Sequence, residues 1–236
     1  MSLFLVAVII FLGIVTQSAA GFGMALVSMP LLAPFFDIKL ISPLVALAGI
    51  LAKVLLLVKY HSKLEIKAVT GLVISSALLV PAGTFALAYM DQRISLLVLG
   101  VVVLIYALYS LINFIPPRLH NPNWVYLFGG LAGFLGGALN ASGPPVVIYA
   151  TSRRWDPLEF KANLQGYALV NGIVVVASHY LAGNITPQVM QAFVASIPAV
   201  FVGVWVGVSM DKFLQPARFR KLVLWLLVVL SLRMIF

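Results

Sequence analysis

The sequence predicts an all-α polytopic membrane protein built as an inverted repeat, each half a broken-helix hairpin followed by three transmembrane helices. Three observations carry this expectation. First, the 236 residues are 63% hydrophobic and only 9% charged, with a mean hydropathy of +1.12, whereas soluble domains are about 25% charged. Second, apolar runs of spanning length recur along the chain. Third, the lysines and arginines gather on one side of a membrane only if two of the apolar stretches go in and come back. A soluble fold of this length has too little interior to hide so much apolar surface, so lipid is the expected solvent.

The chain opens on "MSLFLVAVII", which has no basic residue ahead of its apolar run. It reads as a retained first membrane segment rather than a cleaved signal. Residues 2–36 are too long for one span and contain "AAGFGM". Clean runs follow at 42–58, 66–90 and 94–115, each approaching the ~20 residues that a spanning helix needs. The segment "NFIPPRLHNPNW" (113–124) reads as the joint between two units, 1–115 and 123–236. The second unit repeats the pattern. Residues 123–152 are again too long and contain "NASGPP", and runs follow at 162–182, 188–210 and 219–236.

Short matches support a duplication. "GTFALAYMD" (83–91) resembles "GVWVGVSMD" (203–211), "ALAGI" (46–50) resembles "LVNGI" (169–173), and "AAGFGM" (19–24) falls where "ASGPPV" (141–146) stands. The offsets are 120, 123 and 122 residues, so order is kept with small insertions. Internal repeats of this kind are common in transporter folds.

Charge placement decides between two topologies. If each long stretch crosses once, the basic residues of the loops divide nine against five. If each is a hairpin, Lys59, Lys63, Lys67, Arg118, Arg153, Arg154, Lys161, Lys212, Arg218, Arg220 and Lys221 share one side, and Lys39, Arg93 and Arg233 face the other. Eleven against three is the bias that cytoplasmic loops carry. Each half then has five segments, the halves run in opposite directions, and both termini lie outside.

Little catalytic chemistry is visible. There is no cysteine, and no His, Asp and Glu spacing that makes a metal site. No nucleophile elbow or phosphate-binding loop is present. The expectation is a non-enzyme with no cofactor and no nucleic-acid partner. All six carboxylates (Asp37, Glu65, Asp91, Asp156, Glu159 and Asp211) fall in or beside loops and read as solvated, capping or paired charges. Lys53 is the one charge inside a span. Six residues separate it from Lys59, and snorkelling toward the cytoplasmic interface is the expectation. The open alternative is a charge that faces an anion pathway. On 162–182, Asn163, Tyr167 and Asn171 recur every four residues and make one polar face, which either bonds neighbouring helices or lines a pathway.

The breaks suggest a site, the open alternative being mere kinks for helix packing. Backbone freed within hydrocarbon must find partners or line a cavity. Short segments restart at 24–36 and 144–152, and a helix start offers unpaired N–H groups and roughly half a positive charge. Gly21, Gly23 and Gly143 allow close approach to the backbone, and Pro144 and Pro145 suit a helix start. Ser18, Asn140 and Ser142 add side-chain donors. Two such starts meeting near the midplane would bind a small anion.

The same two stretches carry a family resemblance. "QSAAGFGMALVSMPLL" (17–32) and "GGALNASGPPVVIYATSRRWDPLEFKANL" (136–164) resemble the paired motifs of the TauE/SafE sulfite exporters, and the likeness extends over nearly the whole chain. Its most specific part is Ser142, Gly143, Pro144 and Pro145 with Tyr149, Trp155, Pro157 and Phe160. Lys161 stands where an arginine is frequent. The resemblance implies transport of a sulfur-containing anion such as sulfite, a sulfonate or sulfoacetate, by a multi-pass protein of the bacterial inner membrane. The expected substrate-binding set is Ser18, Gly21, Phe22, Gly23, Asn140, Ser142, Gly143, Pro144 and Asn171. The expected partners are the small anion and the lipid bilayer, with a homodimer as an open arrangement. An anion channel is the alternative function.

Overall fold

The computed structural model describes residues 2–60, 63–112, 116–210 and 216–236. Ten helices account for most of them: α1 Leu3–Ala20, α2 Met24–Leu32, α3 Ile38–Tyr60, α4 Ile66–Tyr89, α5 Gln92–Leu111, α6 Trp124–Leu139, α7 Gly143–Arg153, α8 Pro157–Leu181, α9 Pro187–Met210 and α10 Pro216–Ile235. Five of them (α3, α4, α5, α8 and α9) are long and apolar enough to cross a membrane. Bulky apolar side chains such as Leu78, Phe85, Ile105, Leu181 and Trp205 are exposed on their outer faces, as expected of surfaces solvated by lipid. The protein is a polytopic membrane protein. The helices follow the apolar runs, although the last residues of the 94–115 run lie outside the described residues.

Local chemistry sets the helix ends. Asp91 caps α5 by accepting from the Ile94 N–H at 2.7 Å, and the Asp37 carboxylate accepts from the Lys39 N–H at 2.7 Å beside the start of α3. The Asp156 N–H donates to Glu159 at 3.1 Å where α8 begins. Asp91 therefore acts as a cap and pairs with no basic residue among the described residues, and Asp211 lies outside them. Arg153 and Arg154 donate to the carbonyls of Leu119 and Pro116, at 3.0 and 3.1 Å, and tie the inter-unit joint to the end of α7.

α2 is nine residues long, about 13 Å at 1.5 Å per residue, and cannot span a bilayer. It folds back on α1, where the Ser28 hydroxyl approaches the Ile9 carbonyl and Gly13 faces both Ser28 and Met24. α7 returns in the same way against α6, with the rings of Phe128 and Tyr149 5.9 Å apart.

The other principal pairings are α1 with α9, α4 with α6, α3 with α8, α5 with α10, α4 with α8 and α3 with α9. Exchanging the first five helices for the last five maps this set onto itself. Small residues bring the backbones together. A methyl group on Gly133 or Gly137 of α6 would strike the carbonyls of Ser76 or Val80 on α4, and one on Gly207 of α9 would strike Ser18 on α1. Such close contact replaces the hydrophobic drive that lipid removes. α3 and α8 run antiparallel: Ser42 meets His179 near one end, and Gly49 and Gly172 flank the same side chain in the middle.

Candidate functional site

The first break forms where α1 runs out at Gly21. This residue has φ 84° and donates its N–H to the Gln17 carbonyl at 2.7 Å. Gly23 follows with φ 111° and caps α2 without any side-chain hydrogen bond. Both angles lie in the left-handed region that glycine enters without strain. No side chain caps the first turn of α2, so its N–H groups at Met24, Ala25 and Leu26 lack an intrahelical acceptor. All three residues line a cavity of about 60 Å³.

The second break uses different residues. α6 ends at Asn140, φ 53°, whose N–H donates to the Gly136 carbonyl while the Ala141 N–H reaches back to Leu135. Asparagine tolerates this conformation better than most residues. Ser142 stands at the start of α7 without a side-chain capping bond, and its hydroxyl bonds to the Tyr167 hydroxyl instead. Pro144 and Pro145, the second and third residues of α7, have no N–H. The backbone donors left at this helix start are those of Ser142 and Gly143, fewer than on α2.

Asn140, Ser142 and Gly143 line the same cavity as Gly21, Phe22 and Gly23. Each break is held by the third helix of the other half. Gln165 on α8 donates to the Gly21 carbonyl at 2.6 Å, and Asn140 donates to the Ser42 carbonyl and hydroxyl on α3 at 2.8 and 2.9 Å. Because the Gly21 carbonyl only accepts, Gln165 turns its oxygen toward Gln17, whose amide donates to it at 3.4 Å.

A third wall comes from α8. The Ser76 hydroxyl donates to the Asn171 side-chain oxygen at 2.5 Å and lies 2.9 Å from the Tyr167 hydroxyl. The serine's one proton is used on Asn171, so Tyr167 donates to Ser76. Asn171 is 4% exposed, and its amide nitrogen faces the cavity beside Gly136. The network is thus oriented to present a donor. The cavity also contains Lys53. Its ammonium lies against Gly49 on its own helix and Gly172 on α8, where an added methyl carbon would come within 3.4 and 3.1 Å of it. The expectation that Lys53 snorkels is therefore corrected. The side chain follows the normal helical direction back toward the N-terminus of α3, away from the basic loop at 59–67. Among the described residues, no carboxylate lines the cavity.

The structure thus brings together Gly21, Phe22, Gly23, Asn140, Ser142, Gly143 and Asn171. Ser18 stands apart: it is 1% exposed, packs against Gly207 of α9, and its hydroxyl makes no hydrogen bond. Pro144 is buried behind the cavity wall and serves to start α7. Asn163, on the polar face of α8, accepts from the Glu65 N–H at 2.8 Å and braces the start of α4. Sequence reasoning left Gln17, Gln165, Tyr167 and Lys53 out of the site. Their signal was polarity inside apolar runs, which interhelical bonding explains equally well.

The arrangement suits a small anion: two open helix starts, a fixed amide donor and one ammonium around a space several times the ~10–15 Å³ that one water needs. It offers no nucleophile paired with a base, and no cluster of metal-binding side chains is found among the described residues. No individually curated protein and no solved structure matches the chain. A model of the sulfite exporter TauE/SafE family matches residues 5–234, and the chain belongs to this family of membrane transporters.

Proposed function

We propose that the protein is a secondary transporter that moves a small, sulfur-containing anion such as sulfite, a sulfonate or sulfoacetate through a midplane cavity between two half-helix starts. The observation that carries this reading is the convergence of both breaks on one cavity that holds Lys53 and, among the described residues, no carboxylate. Helix starts and free amide donors favour negative charge, most strongly where water is scarce. The substrate-binding set is Gly21, Phe22, Gly23, Asn140, Ser142, Gly143 and Asn171.

The architecture behind it is an inverted repeat of units 1–115 and 123–236. The antiparallel course of the equivalent helices α3 and α8 supports this, as does the symmetry of the helix pairings. In the family's expected setting, the bacterial inner membrane, residues 59–67, 151–161 and 211–221 face the cytoplasm. Cysteines placed singly at Lys63 and Asp156 should both label from the cytoplasmic side. Labelling from opposite sides would remove the inverted topology.

Counterflow in proteoliposomes tests the function. Vesicles preloaded with sulfite, thiosulfate, a sulfonate, sulfate or acetate should accumulate the matching labelled anion above its equilibrium level. Conductance without counterflow would mark a channel, and no flux of any of these anions would remove the reading.

A further inference from the structure

We propose that a second, lipid-facing groove between α4 and α8 binds one anionic phospholipid, with an acyl chain lying in the groove and the headgroup phosphate held by Lys63 and Lys67.

The first observation is the groove itself. It has a volume of about 310 Å³ and shares no lining residue with the anion cavity. Leu57 of α3 and Leu64 close one end, Ile66 and Val73 belong to the α4 wall, and Gly166 and Val170 to the α8 wall. The wall positions on α4 (66, 69, 70 and 73) and on α8 (166, 169 and 170) each follow the spacing of a single helix face. Gly166 gives the groove its depth: a methyl group there would come within 2.5 Å of the Leu64 side chain. Thr70 gives its proton to the Ile66 carbonyl at 2.7 Å, so it leaves no free donor in the wall. Ile66 and Val170 are exposed, and the groove opens outward. In a bilayer its occupant is hydrocarbon. A chain lying between two helices makes contacts on more than one side, and such packing is what distinguishes one apolar surface from another in lipid.

The second observation is charge at one end. Leu64 and Ile66 come from the segment 59–67, which carries three lysines against one glutamate. Lys63 and Lys67 are exposed and stand next to these two lining residues in the chain. Glu65, between them, offsets one of the charges. On the α8 side, Glu159 is engaged by the Asp156 N–H at 3.1 Å, and Asp156 follows Arg153 and Arg154. The mouth of the groove is therefore basic. Lysines at the end of a membrane helix attract anionic headgroups by about fivefold in affinity each. The groove sets the depth of the lipid, and the lysines select its charge.

Position gives the lipid a role. Gln165 and Tyr167, on either side of Gly166, bond to the Gly21 carbonyl and to Ser76 of α4. The acyl chain packs on the outer side of this same turn of α8. It braces the seam between α4 and α8 from the membrane, while the inner side of the turn serves the first break. The lipid is a structural ligand and takes no part in any reaction.

Native mass spectrometry of the purified full chain tests the site, with phosphatidylglycerol and phosphatidylcholine of identical acyl chains as probes. Wild type should retain one phosphatidylglycerol at least about tenfold more tightly than phosphatidylcholine. The double variant K63Q/K67Q should lose that preference. V170W should fill the groove and lower affinity for both lipids at least about tenfold. R93Q, beyond the other end of α4, should change neither. All of these replace exposed side chains, so the fold is kept. No preference in wild type, a preference that survives K63Q/K67Q or is lost equally in R93Q, or a tight lipid that survives V170W would overturn the proposal. So would a dimer that V170W breaks without any change in bound lipid, since the groove would then belong to a second copy of the chain. None of these outcomes bears on the transport reading, because the lipid and the anion occupy different spaces.

Discussion

The two breaks face the same cavity but are made differently. The first is a backbone device: Gly21 and Gly23, both at positive φ, open the helix, and α2 then presents a full turn of N–H groups. The second is a side-chain device. Asn140 adopts the left-handed turn, two prolines remove backbone donors, the side chains of Asn140 and Ser142 brace the break against Ser42 and Tyr167, and Asn171 places its amide nitrogen beside it. The first break thus offers backbone, and the second is built on side chains. The difference teaches that equivalent glycines need not be equivalent in function. Gly21, which the sequence matches set opposite Gly143, is required for its φ of 84°. Gly143 has ordinary φ, and a methyl group there would meet nothing within 4 Å, so its value is the open space.

That contrast is easiest to break at Gly143. Gly143→Val should leave helix packing and expression intact while filling the cavity mouth, lowering anion affinity at least about 100-fold, or roughly 2.7 kcal/mol. Calorimetric titration of purified protein reads the change, and near-normal affinity would show that the space is not used. Asn171→Leu keeps the volume but removes the oriented donor. It should lower affinity about tenfold, in line with one lost hydrogen bond to a charged ligand. A thermal melt run alongside should show only a small change.

Asn140 separates backbone from side chain. Asn140→Ala forces an unsuitable residue into the left-handed turn, whereas Asn140→Gly relieves that strain, and both lose the bonds to Ser42. The alanine variant should therefore be less stable than the glycine variant by about 1–2 kcal/mol, measured by denaturation in detergent. Equal stability would mean that the turn conformation of Asn140 is unimportant. The smallest effect is expected at Ser18. Its hydroxyl is buried without a partner and lies off the cavity, so Ser18→Ala should change anion affinity less than about twofold and leave stability unchanged or slightly raised.

Much of this was legible in the sequence, because lipid imposes simple rules. Apolar runs of spanning length gave α3, α4, α5, α8 and α9, and glycine and proline clusters marked both breaks. The meeting of the two breaks at one cavity was an expectation drawn from the short sequence matches between 1–115 and 123–236. What escaped was direction. Counting residues to Lys59 told how far Lys53 could reach, but not that its side chain turns back toward Gly49. The i, i+4, i+8 pattern on α8 identified a polar face, but not that Asn163 would brace α4 while Tyr167 and Asn171 turned to the cavity. Ser18 lies one turn before Gly21 yet faces α9, because the packing of α1 on Gly207 fixes its rotation. Helix rotation depends on partners distant in sequence, which no local pattern contains.

The central claim is that one anion is held between two helix starts from two halves of the chain. Crystals grown with selenite, the heavier analogue of sulfite, test it most directly through anomalous scattering. The account predicts one peak in the cavity, within hydrogen-bonding reach of the first turn of α2 on one side and of Ser142 or Gly143 on the other, with Asn171 beside it. A peak that touches only one of the breaks, or selenite bound only outside the cavity, would contradict it.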